Sequence, residues 1–144
     1  MEYITKIEIQ LPLERIIELF DNPNNLKLWQ PELISFEHLS GEPGMPGSQS
    51  KLRYQMGKRK VEMIETITQR DLPHTFCATY EAKGVYNLQK NYFKAIDSHS
   101  TQWTCHSQFH FSGFMKAMAF FMPKAFQKQT LLFMNRFKDF AEQQ

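Results

Sequence analysis

The sequence predicts an α+β fold in which a run of antiparallel strands is covered by one long C-terminal helix. Residues 103–111 alternate between apolar or small side chains at odd positions and polar side chains at even positions, a pattern typical of a strand with one buried face. The residues after Gly113 contain seven of the thirteen phenylalanines and four of the eight methionines. Strands grouped together and followed by a separate apolar helix are typical of the α+β class.

The first elements are a strand and two short helices. Residues 2–10 alternate as a strand, and a proline then opens a short helix over 13–20, where its missing N–H costs no hydrogen bond. An Asp/Asn/Pro segment ends that helix. We expect Asn24 or Asn25 to cap a second short helix that ends near Trp29.

Six further strands and the long helix complete the chain. The strands are expected at residues 33–40, 49–56, 59–70, 75–82, 85–96 and 103–111. A Gly/Pro loop at 41–47 separates the first two of these strands. Because a proline belongs at the start of a helix and not in its interior, Pro123 should divide the C-terminal segment into a shorter first piece and a long helix.

Two short turns predict which residues share a face of the sheet. Gly57-Lys58 suits a two-residue hairpin turn of type II′, and Lys83-Gly84 is a second candidate. These turns pair Leu52 with Met63, Tyr54 with Val61, Ala78 with Gln89 and Tyr80 with Asn87. Directly paired residues lie on the same face. The second register is open to a slip of one residue, because Tyr86, Leu88 and Tyr92 make its other face apolar too.

The predicted inner face mixes apolar with polar side chains, as a small-molecule site does. An unpaired buried polar group costs about 1–3 kcal/mol, so such a row requires internal partners, water or a ligand. The sheet wall of the predicted cavity consists of Tyr54, Met63, Glu65, Tyr80, Asn87, Gln89, Asn91, Phe93 and Trp103. The alternative is that the amides pair with one another or lie in water near an open end.

The C-terminal segment places Met115, Met118, Met122 and four of its seven phenylalanines on one side at helical spacing. Its predicted cavity wall consists of Met118, Met122, Phe126, Gln129 and Phe133. Such a stripe is also what an ordinary core helix presents. A further alternative is contact with a membrane surface, because Phe114-Met115 and Phe120-Phe121-Met122 lie beside Lys116 and Lys124.

Glu65 is the one carboxylate on the predicted inner face, and it is the candidate for acid/base chemistry together with Tyr80. Burial would raise the pKa of its carboxyl group and suit it to proton transfer. The alternative is a structural pairing with a neighbouring hydroxyl or amide, or with Arg136. His106 and His110 share a face but are about 13 Å apart along a strand, which is too far for one metal ion. With no phosphate loop, GxGxxG or HExxH motif, neither a metal nor a cofactor is expected.

The composition is that of one globular domain, expected to span residues 1–144. A net charge of +2 offers no basic footprint for nucleic acid. No apolar stretch approaches the roughly 20 residues that cross a bilayer, and the first residues lack the apolar core of a signal peptide. Cys77 and Cys105 form no CxxC motif, so reduced thiols in a cytoplasmic location are expected. A monomer and a homodimer are both compatible with the sequence.

Three segments carry a resemblance to a known superfamily. They are Ile7–Ile16 (IEIQLPLERI), Asn25–Pro31 (NLKLWQP) and Phe109–Met115 (FHFSGFM). Together with the element order, they resemble the SRPBCC superfamily of START-like, helix-grip domains, and in particular its bacterial polyketide cyclase/dehydrase group. The resemblance implies a seven-stranded antiparallel sheet that wraps around the long C-terminal helix, with an apolar cavity between them. Because members share no catalytic residue set, it assigns no catalytic residue here.

The expected function is therefore binding, and with it transport or sequestration, of a small hydrophobic molecule such as a lipid, a quinone or a polyketide. The first alternative is a cyclase- or dehydratase-type enzyme that uses Glu65 or Tyr80 as acid or base. The second is a co-chaperone-like protein-interaction module whose core is filled by its own side chains.

Overall fold

A computed structural model describes residues 1–144, and all its strands belong to one antiparallel sheet. The strands are β1 (Glu2–Ile9), β2 (Leu33–Ser40), β3 (Gln49–Met56), β4 (Arg59–Asp71), β5 (Thr75–Ala82), β6 (Val85–Ala95) and β7 (Thr101–Phe111). Their spatial order is β1-β7-β6-β5-β4-β3-β2. The last six strands therefore form a meander, and the first strand pairs with the last, which places β1 at one edge of the sheet and β2 at the other.

Four α-helices accompany the sheet. They are α1 (Leu13–Phe20), α2 (Leu26–Trp29), α3 (Phe114–Phe121) and α4 (Lys124–Glu142). Pro123 immediately precedes α4, so the predicted division of the C-terminal segment is confirmed. With 19 residues, α4 is about 28 Å long. The seven-stranded sheet, the two short helices after β1 and the long C-terminal helix constitute the helix-grip fold.

Both predicted hairpin registers are confirmed. Tyr54 pairs with Val61 across the first turn, and Tyr80 pairs with Asn87 across the second. Gly57 has a φ of +63°, in the left-handed region that a tight two-residue hairpin turn demands at one of its positions. Because the registers fix which side chains share a face, the polar row of the predicted inner face does lie on the side of the sheet that α4 covers.

The cap of the second short helix and the start of β7 differ from the prediction for local reasons, and the other strand ends differ from it by at most one residue. The side chain of Asn22, and not that of Asn24 or Asn25, caps the short 3-10 turn that precedes α2, by accepting a hydrogen bond from the backbone N–H of Asn24 at 3.0 Å. The side chain of Asn25 instead donates to the carbonyl of Leu19. β7 begins at Thr101, two residues earlier than expected, because its pairing with β1 continues to Ile9.

The closed core lies where the C-terminal half of α4 meets α1 and the sheet. Phe137 is fully buried, and its ring contacts those of Trp29 and Trp103 at centroid distances of 5.3 and 5.5 Å. Phe20 adds a further edge-on contact at 5.9 Å. Edge-to-face aromatic pairs contribute about 0.5–1.5 kcal/mol each beyond the area that they bury. α1 therefore joins α4 and the sheet in one core only at this end of the molecule.

No helix combines the length and the apolar character needed to cross a bilayer.

We expect Phe137→Ala to lower the free energy of unfolding by about 3–5 kcal/mol, because it leaves a cavity among rings that cannot close around it. Leu131→Ala is the matched control on the same helix, since Leu131 is 40% exposed, and a change within about 0.5 kcal/mol is expected there. Chemical denaturation of both variants measures the difference. Equal effects would contradict the assignment of the core to this end of α4.

Candidate functional site

A cavity of about 1100 Å³ lies between the sheet and the N-terminal half of α4. Strands β3–β7 form one wall, and α3 and α4 form the opposite wall. Just over half of the lining residues are hydrophobic. The cavity is open to solvent and is not filled by the protein's own side chains, in contrast to the self-filled core considered as an alternative.

All the predicted wall residues except Phe93 line this cavity. From the sheet these are Tyr54, Met63, Glu65, Tyr80, Asn87, Gln89, Asn91 and Trp103, and from the helical segment Met118, Met122, Phe126, Gln129 and Phe133. Met122 lies at the mouth, where 55% of its surface remains exposed, because α3 ends there and α4 has not yet begun. The lining is an observed arrangement, and a role of these residues in binding stays a prediction.

The placement of Phe93 in the cavity wall was wrong. Its side chain does point to the inner face, but only 2% of it is exposed. Phe93 stacks on Trp103 at 5.6 Å, and Phe20 of α1 lies edge-on against it at 5.0 Å. α1 therefore covers this part of the sheet, and Phe93 belongs to the closed core.

Three amide side chains follow one another along β6 at alternate positions. The indole N–H of Trp103 donates to Oδ1 of Asn91 at 2.9 Å, and since an indole can only donate, this bond fixes the orientation of the Asn91 amide. The hydroxyl of Ser107 and the thiol of Cys105 donate to Oε1 of Gln89 at 2.7 and 2.9 Å. The NH2 groups of Asn91 and Gln89 have no protein partner and reach the open space of the cavity.

Asn87 is oriented in the opposite sense. Its NH2 group donates to the backbone carbonyl of Gln108 at 3.0 Å, which leaves Oδ1 of its amide without a protein donor. The row therefore offers two hydrogen-bond donors and one acceptor along a single strand. Neighbouring members are about 7 Å apart, because they are separated by two residues of an antiparallel strand.

Glu65 and Tyr80 form a second polar group on the neighbouring strands. They face each other across β4 and β5, and the Tyr80 hydroxyl donates to Oε2 of Glu65 at 2.8 Å. Burial raises the pKa of Glu65, and the hydrogen bond from Tyr80 partly offsets that rise. Burial, and then the nearby Glu65 carboxyl, raises the pKa of Tyr80 well above its ordinary value, so this phenol remains a donor near neutral pH.

Of the partners considered for Glu65, the neighbouring hydroxyl is the observed one and Arg136 is not. The guanidinium of Arg136 instead donates to both carboxylate oxygens of Glu32, at 2.6 and 2.8 Å. Arg136 and Glu32 join α4 to the start of β2. No cation pairs with Glu65, so nothing of that kind offsets the rise in pKa that burial causes.

Cys105 is not arranged as a nucleophile. Burial raises the pKa of its thiol to about 11, against the opposing effect of the Ser107 hydroxyl. A nucleophilic cysteine needs a substantial thiolate fraction. The thiol of Cys105 instead helps to orient the amide of Gln89.

The helices contribute lining residues that the periodicity of the strands did not identify. Gln30, which follows α2, accepts a hydrogen bond from the buried Tyr54 hydroxyl at 2.6 Å. Further lining residues from the helical segments are Phe20, Leu26, Trp29, Met115, Thr130 and Met134. Phe20, Leu26 and Trp29 were marked in the sequence only by being apolar residues in or next to a short helix. That pattern does not show which part of the sheet they cover.

The fold and the open cavity together define a helix-grip protein with an internal site. No family model matches the sequence, and no curated protein is significantly similar to it. Solved structures share the fold at low sequence identity, and they confirm the expected resemblance at the level of the fold.

Three of these structures illustrate the likeness. Zhui aromatase/cyclase from Streptomyces sp. R1128 has a TM-score of 0.83 at 10% identity, over 99% of this chain and 93% of that one. A conserved protein from Geobacillus kaustophilus has a TM-score of 0.82 at 19% identity, over 99% and 96%. Norcoclaurine synthase from Thalictrum flavum, solved in complex with dopamine and hydroxybenzaldehyde, has a TM-score of 0.74 at 13% identity, over 98% and 86%.

We expect Glu65→Gln to flatten part of the pH dependence of stability. A carboxyl group whose pKa is raised by folding stabilises the folded state below its unfolded pKa of about 4.3. That contribution is lost as the pH rises from the unfolded pKa through the raised pKa of the folded protein. Over this pH interval the variant should therefore gain stability relative to the wild type. Each unit of pKa elevation corresponds to about 1.4 kcal/mol. Denaturation curves at a series of pH values measure the effect.

Glu62→Gln is the matched control on the same strand. The hydrogen bond from Arg53 lowers the pKa of the exposed Glu62 carboxyl, so its contribution is present at neutral pH and is lost as the pH falls. The two variants should therefore differ from the wild type with opposite pH slopes. A pH profile of Glu65→Gln that runs parallel to the wild type would contradict a raised pKa for Glu65.

Proposed function

We propose that this protein binds one small, largely apolar molecule that carries uncharged hydroxyl or carbonyl groups, in the cavity between the sheet and α4. The observation that carries the proposal is the set of oriented polar groups, those of Gln89, Asn91 and the Glu65–Tyr80 pair, which face open space within mostly apolar walls. A lipid, a quinone and a polyketide all have this chemistry.

The size of the cavity supports a ligand larger than a few atoms. Small-molecule sites usually enclose about 300–1,000 Å³, and this cavity, at about 1100 Å³, is slightly larger than that range. The methionines on the helical wall, among them Met118, have flexible and polarisable side chains that adapt to the shape of an apolar ligand. A fused-ring molecule or a medium-length acyl chain fits such a volume.

The polar groups support a ligand with oxygen atoms at defined positions. The NH2 groups of Gln89 and Asn91 are neutral donors that suit a carbonyl or hydroxyl oxygen. Protonated Glu65 can donate to a ligand oxygen, and Oδ1 of Asn87 can accept from a hydroxyl. Since a ligand that leaves these groups unpaired forfeits about 1–3 kcal/mol for each, the row favours oxygenated molecules over plain hydrocarbons.

Proteins with the same fold support a ligand-binding role by analogy. One of them is an aromatase/cyclase, and another holds dopamine and hydroxybenzaldehyde. At 10–13% identity the analogy extends to the fold and its cavity, and the choice of ligand rests on this chain's own residues.

Native mass spectrometry of the purified protein, followed by a thermal-shift screen, tests the proposal. We expect either a co-purified mass or a rise in melting temperature that saturates with one class among lipids, quinones, sterols and aromatic polyketides. A ligand at 100 times its Kd stabilises the folded state by about 2.7 kcal/mol. The bare mass and no shift across the whole screen would contradict ligand binding.

Met63→Trp should abolish binding of the ligand that the screen identifies, because the larger ring occupies the cavity from the sheet wall. Ile64→Trp is the matched control, since Ile64 is the next residue of β4, points to the other face and does not line the cavity. Isothermal titration of both variants compares the affinities. Equal affinities would show that the ligand binds elsewhere.

The Glu65–Tyr80 pair supports a second candidate, an enzyme of the cyclase or dehydratase type. The 2.8 Å hydrogen bond from Tyr80 holds the Glu65 carboxyl group beside the open cavity, and burial raises the pKa of that group above its ordinary value. In its acid form such a group can give a proton to a ligand oxygen, and in its carboxylate form it can take one from an adjacent carbon. A binding protein also uses this pair to orient a ligand, so turnover must be measured directly.

Glu65→Gln distinguishes the two candidates, because glutamine keeps the shape of the side chain but cannot transfer a proton. For an enzyme, we expect conversion of the identified ligand to fall by at least about a hundredfold, while the affinity changes much less. Mass spectrometry of the ligand after incubation measures the conversion. An unchanged ligand after incubation with the wild-type protein would exclude turnover of that ligand and leave binding as its function.

We also infer a cytoplasmic location. Cys77 and Cys105 are both buried and free, and thiols of this kind persist in reducing compartments. Fractionation of the source cells tests this inference, and recovery from an oxidising compartment would contradict it.

A further inference from the structure

An apolar cluster lies exposed at one end of the molecule. We refer to Phe114, Phe120, Phe121 and Met122 as the α3 patch. Their exposed fractions are 75%, 79%, 78% and 55%. Fully burying a side chain of this size is worth about 1.5–3 kcal/mol, so four of them together in water indicate a surface that is covered when the protein acts.

Within the chain the patch has little support of its own. α3 buries only Ala119, and the rings of Phe120 and Phe121 pack edge-on against each other at 5.3 Å. A core helix of eight residues would bury a full stripe of side chains. The outward position of the aromatic rings is therefore a property of this helix and not a by-product of core packing.

The surroundings of the patch are basic. The chain contains no aspartate or glutamate from residue 98 to residue 138, whereas Lys116, Lys124 and Lys128 lie within or next to α3 and the start of α4. All three lysines are exposed. Because aromatic side chains flanked by lysines match the apolar interior and the anionic head groups of a membrane surface, the patch has the chemistry of an interfacial helix.

Two hairpin turns extend this basic surface. The Lys83-Gly84 turn lies against the start of α3, since the N–H of Ser112, just before this helix, donates to the carbonyl of Gly84 at 3.0 Å and the side chain of Met115 packs next to Gly84. The turn between β3 and β4 lies at the same end of the strands as the Lys83-Gly84 turn, because β3 and β5 run in the same direction. This second turn contributes Lys58, Arg59 and Lys60. The strands of these turns also carry the carboxylates of Glu81 and of Glu62, which pairs with Arg53 at 3.1 Å, and Glu2 follows Met1, which lies beside Phe120 and Phe121.

The patch is continuous with the mouth of the cavity. Phe114 and Met122 belong both to the patch and to the cavity lining, and Met115 and Met118 line the cavity from the same helix. Arg59, Lys60 and Lys83 line it from the two hairpin turns. A flat apolar surface pressed against α3 would therefore lie directly over the opening.

We propose that the α3 patch and its basic rim dock on an anionic lipid bilayer, with the cavity mouth facing the membrane. The phenylalanines enter the region between head groups and acyl chains, and the lysines bind the anionic head groups. A second copy of this chain is a poorer occupant, because a two-fold contact would bring like-charged lysines together. On the membrane, the cavity opens toward lipid and can exchange an apolar ligand without exposing it to water.

Docking and ligand exchange are separable. Docking depends only on surface residues, whereas exchange rests on the ligand-binding function proposed above. The experiment therefore uses the unliganded protein, so that its failure would not be confused with a failure of ligand binding.

Co-sedimentation with extruded vesicles tests the docking. We expect the full chain to bind vesicles of phosphatidylcholine with about 30% phosphatidylglycerol, and to bind pure phosphatidylcholine at least about tenfold more weakly, since each lysine near an anionic surface contributes about 1 kcal/mol. The double variant Phe120→Ala/Phe121→Ala and the double variant Lys116→Glu/Lys124→Glu should each lose at least about tenfold in partitioning to the anionic vesicles.

Leu28→Ala is the matched control, because Leu28 is 65% exposed but belongs to α2, outside the patch. Its partitioning should equal that of the wild type. Since the substituted side chains are exposed, circular dichroism should show all variants folded. Phe120→Trp adds a direct readout, because brominated lipids should quench its inserted indole in addition to any quenching of Trp29 and Trp103 seen with the wild type.

Three results would overturn the proposal. The first is no binding of the wild type to either vesicle. The second is binding that the Phe120→Ala/Phe121→Ala variant retains in full. The third is a dimer in sedimentation velocity that this variant dissociates, without vesicle binding, which would make the patch a contact between two copies.

Discussion

The packing of Phe137 against α1 and the sheet is the constraint on which the rest of the structure depends. A helix of about 28 Å crosses the sheet, but a third layer reaches it only at its C-terminal half, where Phe20 and Trp29 meet Phe137. At that end the rings close a core. Toward the start of α4, Phe126 and Phe133 face the sheet with no α1 between them, and the space that remains is the cavity.

The cavity keeps its polar character because the alternation of β6 and β7 brings donors and acceptors together across the strands. Trp103 and Ser107 of β7 bind the carbonyl oxygens of Asn91 and Gln89, so those amides are held with their NH2 groups toward the cavity. The carbonyl oxygen of each amide therefore has a partner before any ligand binds, and only its NH2 group remains to be satisfied. The same cross-strand hydrogen bonds fix the rotamers of these side chains. Ligand binding would therefore cost less side-chain conformational entropy.

Much of the fold and most of the cavity wall could be predicted, because two short turns determine the registers of four strands. Once Gly57 and Gly84 are recognised as turn residues, the face of each residue from β3 to β6 follows from the pleat alone. Phe93 shows the limit of this reasoning. The alternation along β6 predicts correctly that Phe93 points to the inner face. Whether this part of the inner face is core or cavity depends on the tertiary position of Phe20, which packs against Phe93. The pairing of Arg136 with Glu32 joins residues 104 positions apart, and no local pattern carries that information.

The two ends of the molecule therefore have different physical roles. The closed end contains Phe137, Trp103 and the residues of α1, and it provides the tight packing that makes a fold stable. At the open end α3 contributes little packing, because it buries only Ala119 and the cavity lies beside it. Side chains there can be exposed, polar or flexible without a large loss of stability. A sheet closed at one end by aromatic rings can thus leave the other end free to hold an apolar molecule and to meet an apolar surface.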